Sequence, residues 1–205
     1  VAERRNGVPP PPTDTTVLDR DWDRAELTAE DHFARTEFLD VDMMELTSRG
    51  ATFTECTFRS VEFNASVHQE SAFVNCTFTA CKFFDATFVD CKLVGSMFDR
   101  CTHDLMKVSG GDWSLVGLPG ADLRRASFTR VRMREVDFAG TRCQGATFVG
   151  VDLADAWLHG ADFSGADLRG SDLSAMDPLT VNLRGATIEP DQAFVLVTAL
   201  GLRIR

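Results

Sequence analysis

The residues of this 205-residue chain that could do chemistry fall into three sets. His68 and His103 stand out because each interrupts an apolar pattern, and His103 with Cys81 and Cys101 is the one grouping that resembles a metal site. Six acids, Asp152, Asp155, Asp162, Asp167, Asp172 and Asp177, recur at short intervals and could be read as paired carboxylates for general acid–base work. A basic cluster, Arg124, Arg125, Arg130, Arg132 and Arg134, reverses the sign of the charge in the middle of the chain. No glycine-rich phosphate loop, zinc quartet, HExxH or GxSxG motif accompanies them.

What must position these residues is a repeat with a period of five. From Phe33 to Ile188 every fifth residue is large and apolar with few exceptions, in one register through 32 consecutive units. The column holds Phe53, Phe58, Phe63, Phe73, Phe78, Phe83, Phe88, Phe98, Phe128, Phe138, Phe148 and Phe163, and 14 of the 16 Phe lie on it. Ser48, His68, His103 and Pro178 break the rule. Two residues before each large residue stands a small one, so the unit reads small-polar-large-polar-polar, clearest in ADFSG-ADLRG-SDLS from Ala161 to Ser174. Five of the six Cys sit in the small column (Cys56, Cys76, Cys81, Cys91 and Cys101), and Cys143 is in the large one. They read as buried packing groups, although Cys56/Cys76 and Cys81/Cys101, 20 residues apart, are close enough on spacing alone to be bridged.

A strict period of five suits neither a helix nor a continuous strand. It suits a short inward-facing segment followed by a corner. Four segments make a turn of 20 residues, and successive turns stack at about 4.8 Å to bury a shared core. Thirty-two units predict eight turns in a rod roughly 35–40 Å long. On such a rod the acids point outward from a convex wall without a cleft, which disfavours acid–base catalysis and leaves turn-capping as their local role.

The repeat resembles that of the pentapeptide-repeat family, A(D/N)LxX. The resemblance implies an all-β fold, a right-handed quadrilateral β-helix of about eight coils of four pentapeptides, over 33–188. Around it the sequence predicts a proline-rich flexible leader over 1–16 and an irregular cap over 17–32, an irregular first turn with Trp22 covering the open Phe layer, where Trp22 and Leu27 run one residue out of phase. Over 189–205 it predicts a short helix starting at Glu189-Pro190-Asp191-Gln192, a stop at Gly201 and a strand-like Leu202–Arg205. The tail carries more apolar residues than one face needs: Phe194, Val195, Leu196, Val197, Leu200, Leu202 and Ile204. The surplus points to a second copy of the chain as partner.

A net charge of −10 argues against direct nucleic-acid binding and favours basic partners. No apolar run of membrane length and no signal-peptide pattern is visible, so the expectation is a cytoplasmic protein without cofactor or metal. The uninterrupted coil, the D-Q-A helix start (Asp191, Gln192, Ala193) and the Gly201–Ile204 tail resemble the mycobacterial, fluoroquinolone-resistance branch of the family. That resemblance implies a non-enzymatic DNA mimic that binds DNA gyrase or another type II topoisomerase and dimerises through its C-terminal helix. The acids Asp152–Asp177 would then be the partner-binding surface. The alternative is an interaction scaffold with an unrelated protein partner.

Overall fold

The computed structural model describes residues 9–203. They form a parallel β-solenoid of about seven turns, closed at the C-terminal end by one helix, α1 (Pro190–Ala199). All paired strands are parallel and, from His32 on, 20 residues apart, so each pentapeptide lies over the one a full turn earlier. The longest sheet is seven strands deep, from Glu26–Leu27 to Thr147–Val149. Beyond it the levels at Asp167 and Thr187 are held by single bridges.

Four faces follow from the four stacks. The first runs through Phe38, Phe58, Phe78 and Phe98, the second through Met43, Phe63, Phe83 and His103. The third runs through Ser48, His68, Phe88, Val108, Phe128 and Phe148, the fourth through Phe33, Phe53 and Phe73. The middle residue of each segment points into the core because alternate strand side chains face opposite ways. Of the 14 Phe of the column all but the half-buried Phe33 are buried, Phe98 at 6% exposure.

Stacking turns at strand spacing also stacks the rings. Phe38–Phe58 and Phe58–Phe78 lie 4.8 Å apart and nearly parallel, and Phe63–Phe83 4.9 Å apart. Rings on adjacent faces meet edge-on, as at Phe78–Phe83 with 5.6 Å between centroids. Both arrangements are the favoured ones for aromatic pairs.

The corners are closed by backbone. The fifth residue of each unit takes the left-handed conformation, for instance Asp40 (φ 53°), Glu55 (φ 55°) and Gly145 (φ 68°). From Arg35 to Gly170 every corner does so except Arg125. A non-glycine residue there costs about 1–2 kcal/mol, which the stacked core must offset.

Residues 17–32 close the top of the coil as an irregular first turn. Thr15–Leu18 pairs with Thr36–Leu39 and Glu26–Leu27 with Thr47–Ser48, both offset by 21 residues. This is a first turn of the same coil, one residue longer than the rest. The extra residue lies in the corner between Thr28 and Asp31, where the Asp31 carboxylate accepts the Thr28 N–H at 2.7 Å. Trp22 caps the Phe stack as part of that turn, 5.7 Å from both Phe33 and Phe38. Residues 1–8 of the expected leader lie outside the described residues, as does Ile204.

At the other end α1 is anchored by Gln192. Its side chain accepts the Glu189 N–H at 2.7 Å and donates from Nε2 to the carbonyls of Leu168 (2.8 Å) and Ser171 (2.7 Å) on the last turns. The expected strand over Leu202–Arg205 is not formed by Leu202 and Arg203, which have no regular structure.

Candidate interaction surface and a cleft in the wall

The six acids predicted as a binding surface do not share one wall. Asp177 lies on the first face, Asp162 on the second, Asp167 on the third, and Asp152 and Asp172 on the fourth, with Asp155 at the following corner. They wind around the lower coil. Each of the five on a face accepts, through Oδ1, the backbone N–H two residues on: Ala154 (3.1 Å), Ser164 (2.9 Å), Arg169 (3.3 Å), Ser174 (2.8 Å) and Leu179 (2.9 Å). Asn182 caps Arg184 in the same way at 3.1 Å. The hydrogen bond therefore needs the side-chain oxygen and not its charge, and the charge is free for another use.

Several of these charges are matched locally. Asp167 is held below the usual carboxylate range by its hydrogen bonds to Arg169 (2.6 and 2.8 Å). Arg134 lies 3.8 Å from Asp152 and 3.6 Å from Asp155. Asp172 and Asp177 make no ion pair among the described residues.

A second acidic region escaped the sequence reading. Asp21, Asp42 and Glu62 stack on the second face in successive turns, ending at Lys82, whose Nζ lies 2.5 Å from Glu62. Reading the sequence at intervals of 20 finds Asp42, Glu62 and Lys82; Asp21 is missed because the first turn is 21 long. Trp157 was missed too. It occupies a polar position of its unit and is 66% exposed on the first face.

The basic cluster is dispersed. Arg124 pairs with Asp122 (2.7 Å), Arg125 with Asp104 (3.1 Å), and Arg142 also reaches Asp122 (3.1 Å). Arg130 and Arg132 have no ion pair among the described residues.

The two column histidines differ. His68 is neutral and satisfied: Ser48 Oγ lies 2.7 Å from Nδ1 and Ser66 Oγ 3.1 Å from Nε2. Burial pushes its pKa down to about 3. His103 is as deeply buried, yet neither ring nitrogen has a hydrogen-bond partner. Burial lowers its pKa to about 4.

No metal site forms around His103. The Cys81 and Cys101 thiols donate to the carbonyls of Phe58 (3.4 Å) and Phe78 (3.5 Å), and among the described residues no His, Cys, Asp and Glu cluster could hold a metal ion. Ser96 and Ser171 make the same bond from the same column, to Phe73 and Phe148. All six thiols are free, so the bridges allowed by spacing are not made.

Beside His103 the wall opens. On the second face the ladder runs Glu62–Lys82–Thr102 and resumes at Asp122–Arg142, with no bridge from Thr102 to Asp122. No backbone hydrogen bond joins 100–105 to 119–125 among the described residues. The wall is thus split here, and the split holds an open cavity of ≈ 680 Å³.

A family model described as pentapeptide repeats matches residues 118–142 and 137–174, in eight copies. The units of that stretch are pentapeptide repeats. The pentapeptide coil is 34% identical over 97 residues to pentapeptide repeat protein MfpA of Mycobacterium tuberculosis, covering 47% of this chain and 53% of that protein. It is 42% identical over 50 residues to MfpA of Mycolicibacterium smegmatis, covering 24% and 26%. The matches thus span about half, and about a quarter, of the curated relatives. The fold is that of a trypsin-treated variant of QnrB1, a plasmid-mediated fluoroquinolone resistance protein: TM-score 0.57 at 20% identity, over 93% of this chain and 98% of that one.

Proposed function

We propose that this pentapeptide-repeat protein is a non-enzymatic binder of a type II topoisomerase, DNA gyrase, that presents carboxylates in place of DNA phosphates and lowers sensitivity to quinolones or other gyrase poisons. The observation carrying the reading is the set of acids held rigidly by the coil, each Asp of a unit fixed by its turn hydrogen bond and pointing outward. Support comes from the similarity to MfpA and from the fold shared with a fluoroquinolone resistance protein.

Magnitude narrows the reading to part of the rod. From the Asp21 level to the Asn182 level the coil spans roughly 38 Å at about 4.8 Å per turn. A duplex of that length bears on the order of 22 phosphate charges, whereas this chain has a net charge of −10. The mimic is therefore local, centred on the lower acids, with Arg130 and Arg132 left above them.

The lower acids become central if two copies join through α1. Phe194, Val195, Leu200 and Leu202 are exposed, Phe194 by 56% and Leu202 by 59%, while Leu196 and Val197 are half-buried and Leu196 packs on the coil. A second copy is the partner that such a surface fits. Among the described residues no helix is long and apolar enough to cross a membrane.

The test is gyrase supercoiling with and without a quinolone, comparing wild type with a variant in which Asp162, Asp167, Asp172 and Asp177 become Asn. Asn keeps the turn hydrogen bond, as Asn182 shows, so the variant removes the charge together with only the outer bonds of Asp162 to Gln144 and Asp167 to Arg169. Loss of inhibition or protection is expected; equal activity of the two proteins would overturn the carboxylate argument. Inactivity of both on gyrase would leave a scaffold for an unrelated partner. Phe194→Arg should convert a dimer into a monomer by light scattering.

A further inference from the structure

We infer that the cleft between residues 100–105 and 119–125 is a binding site for a small aromatic oxyanion, a flat apolar ring bearing a carboxylate or phosphate group. Four observations converge. The wall hydrogen bonds present at the turns above and below are missing here alone on the second face. The opening measures ≈ 680 Å³, within the range of small-molecule sites, about 300–1,000 Å³. Its corner residue Arg125 is the one corner between Arg35 and Gly170 outside the left-handed conformation. His103, 2% exposed, lines the cleft with both ring nitrogens unpartnered.

The lining says what fits. Phe98, 6% exposed, and Pro119 give apolar walls for a flat ring. His103, neutral at pH 7, offers its one N–H to the oxyanion, giving a buried donor the partner it lacks. Arg100, Arg125 and Arg142 surround the opening. Arg100 pairs with the adjacent Asp99, Arg125 with Asp104 and Arg142 with Asp122, each through a single nitrogen. A guanidinium has five N–H donors, so all three keep donors for an oxyanion, and a fork geometry suits carboxylate or phosphate. The site is separate from the lower acids and does not depend on the gyrase reading.

The experiment follows the His103 imidazole resonances of the full chain by NMR during titration with phenyl phosphate, benzoate and inorganic phosphate. The expected result is a saturable shift with either aromatic probe, and binding of inorganic phosphate weaker by about tenfold. Arg142→Gln leaves Asp122 its contacts with Arg124 and should weaken phenyl phosphate by about tenfold, the worth of one charge-assisted hydrogen bond. Arg100→Gln should weaken it similarly, with the thermal midpoint unchanged in both. His103→Phe, read by probe-dependent thermal shift, should remove the probe's effect. No saturable shift, equal affinity in wild type and both Arg variants, or inorganic phosphate binding as tightly as phenyl phosphate would overturn the proposal. So would a short duplex oligonucleotide that binds the cleft while neither aromatic probe does.

Discussion

His68 and His103 interrupt the same column of large inward residues with opposite consequences. Around His68 the coil is intact: Val67–Gln69 pairs with Thr47–Arg49 above and Thr87–Val89 below, and the ring stacks on Phe88 at 4.9 Å. Around His103 the lower wall is open and the nearest stacked ring, Phe83, is 5.9 Å away. The difference lies in three neighbours. Two residues before His68 stands Ser66, 20 before it Ser48, and three after it Ser71, whose Oγ lies 2.8 Å from Ser48. The corresponding neighbours of His103 are Cys101, Phe83 and Met106, none of which offers its ring a hydroxyl. A polar residue in a stacked core is accommodated when its layer supplies hydrogen bonds, and leaves a defect when it does not.

Three experiments sharpen or break this comparison. The largest effect is expected from His68→Ala, which removes a stacked ring and leaves the Ser48, Ser66 and Ser71 cluster short of partners. Urea unfolding should show a loss of about 3–5 kcal/mol; a loss below about 1 kcal/mol would mean the serine network contributes little. Next is the acid response. Both histidines have folded pKa values depressed by burial, to about 3 and about 4, against an unfolded value of about 6.5. Below pH 6.5 the unfolded chain binds protons that the native chain does not, so stability falls as pH drops and levels off only below the folded values. Each histidine should contribute up to about 1.4 kcal/mol per pH unit in that window and nothing above it. Urea midpoints from pH 7.5 to 4.5 measure this, and His103→Phe should lose its share of the slope. The smallest effect separates the two layers most directly. His103→Phe should be neutral or stabilising by about 1 kcal/mol, and His68→Phe destabilising by about 1–3 kcal/mol. Equal destabilisation would mean that His103 is satisfied after all.

Much of the coil was legible because its period is a local property. Phe53 or Phe163 could be placed inside from spacing alone, since a unit of five with one large residue leaves only one inward solution. The turn hydrogen bonds of Asp162 and Asp172 were legible for the same reason: they close within two residues. The first turn was legible as an irregular cap, but its register was not. One extra residue between Thr28 and Asp31 shifts the phase, and only strand pairing sets Val17 against Phe38. The candidate surface was only half legible. The acids were visible, but their spread over four faces depends on where each corner falls. The anchoring of α1 through Gln192 was hidden because its acceptors, the carbonyls of Leu168 and Ser171, lie more than 20 residues earlier.

The amino-acid order by itself determined the repeat, its inward column, the helix start at Glu189 and the sign of the charge along the rod. Each is set by spacing or composition within a few residues. The tertiary structure alone decided that the wall splits at 100–105, that Arg124, Arg125 and Arg142 are drawn to Asp104 and Asp122, and that His103 lacks the partners His68 finds. Those outcomes depend on what a residue meets one turn away. There a side chain 20 residues distant is nearer than one five residues along, and one missing hydroxyl or hydrogen bond changes the layer.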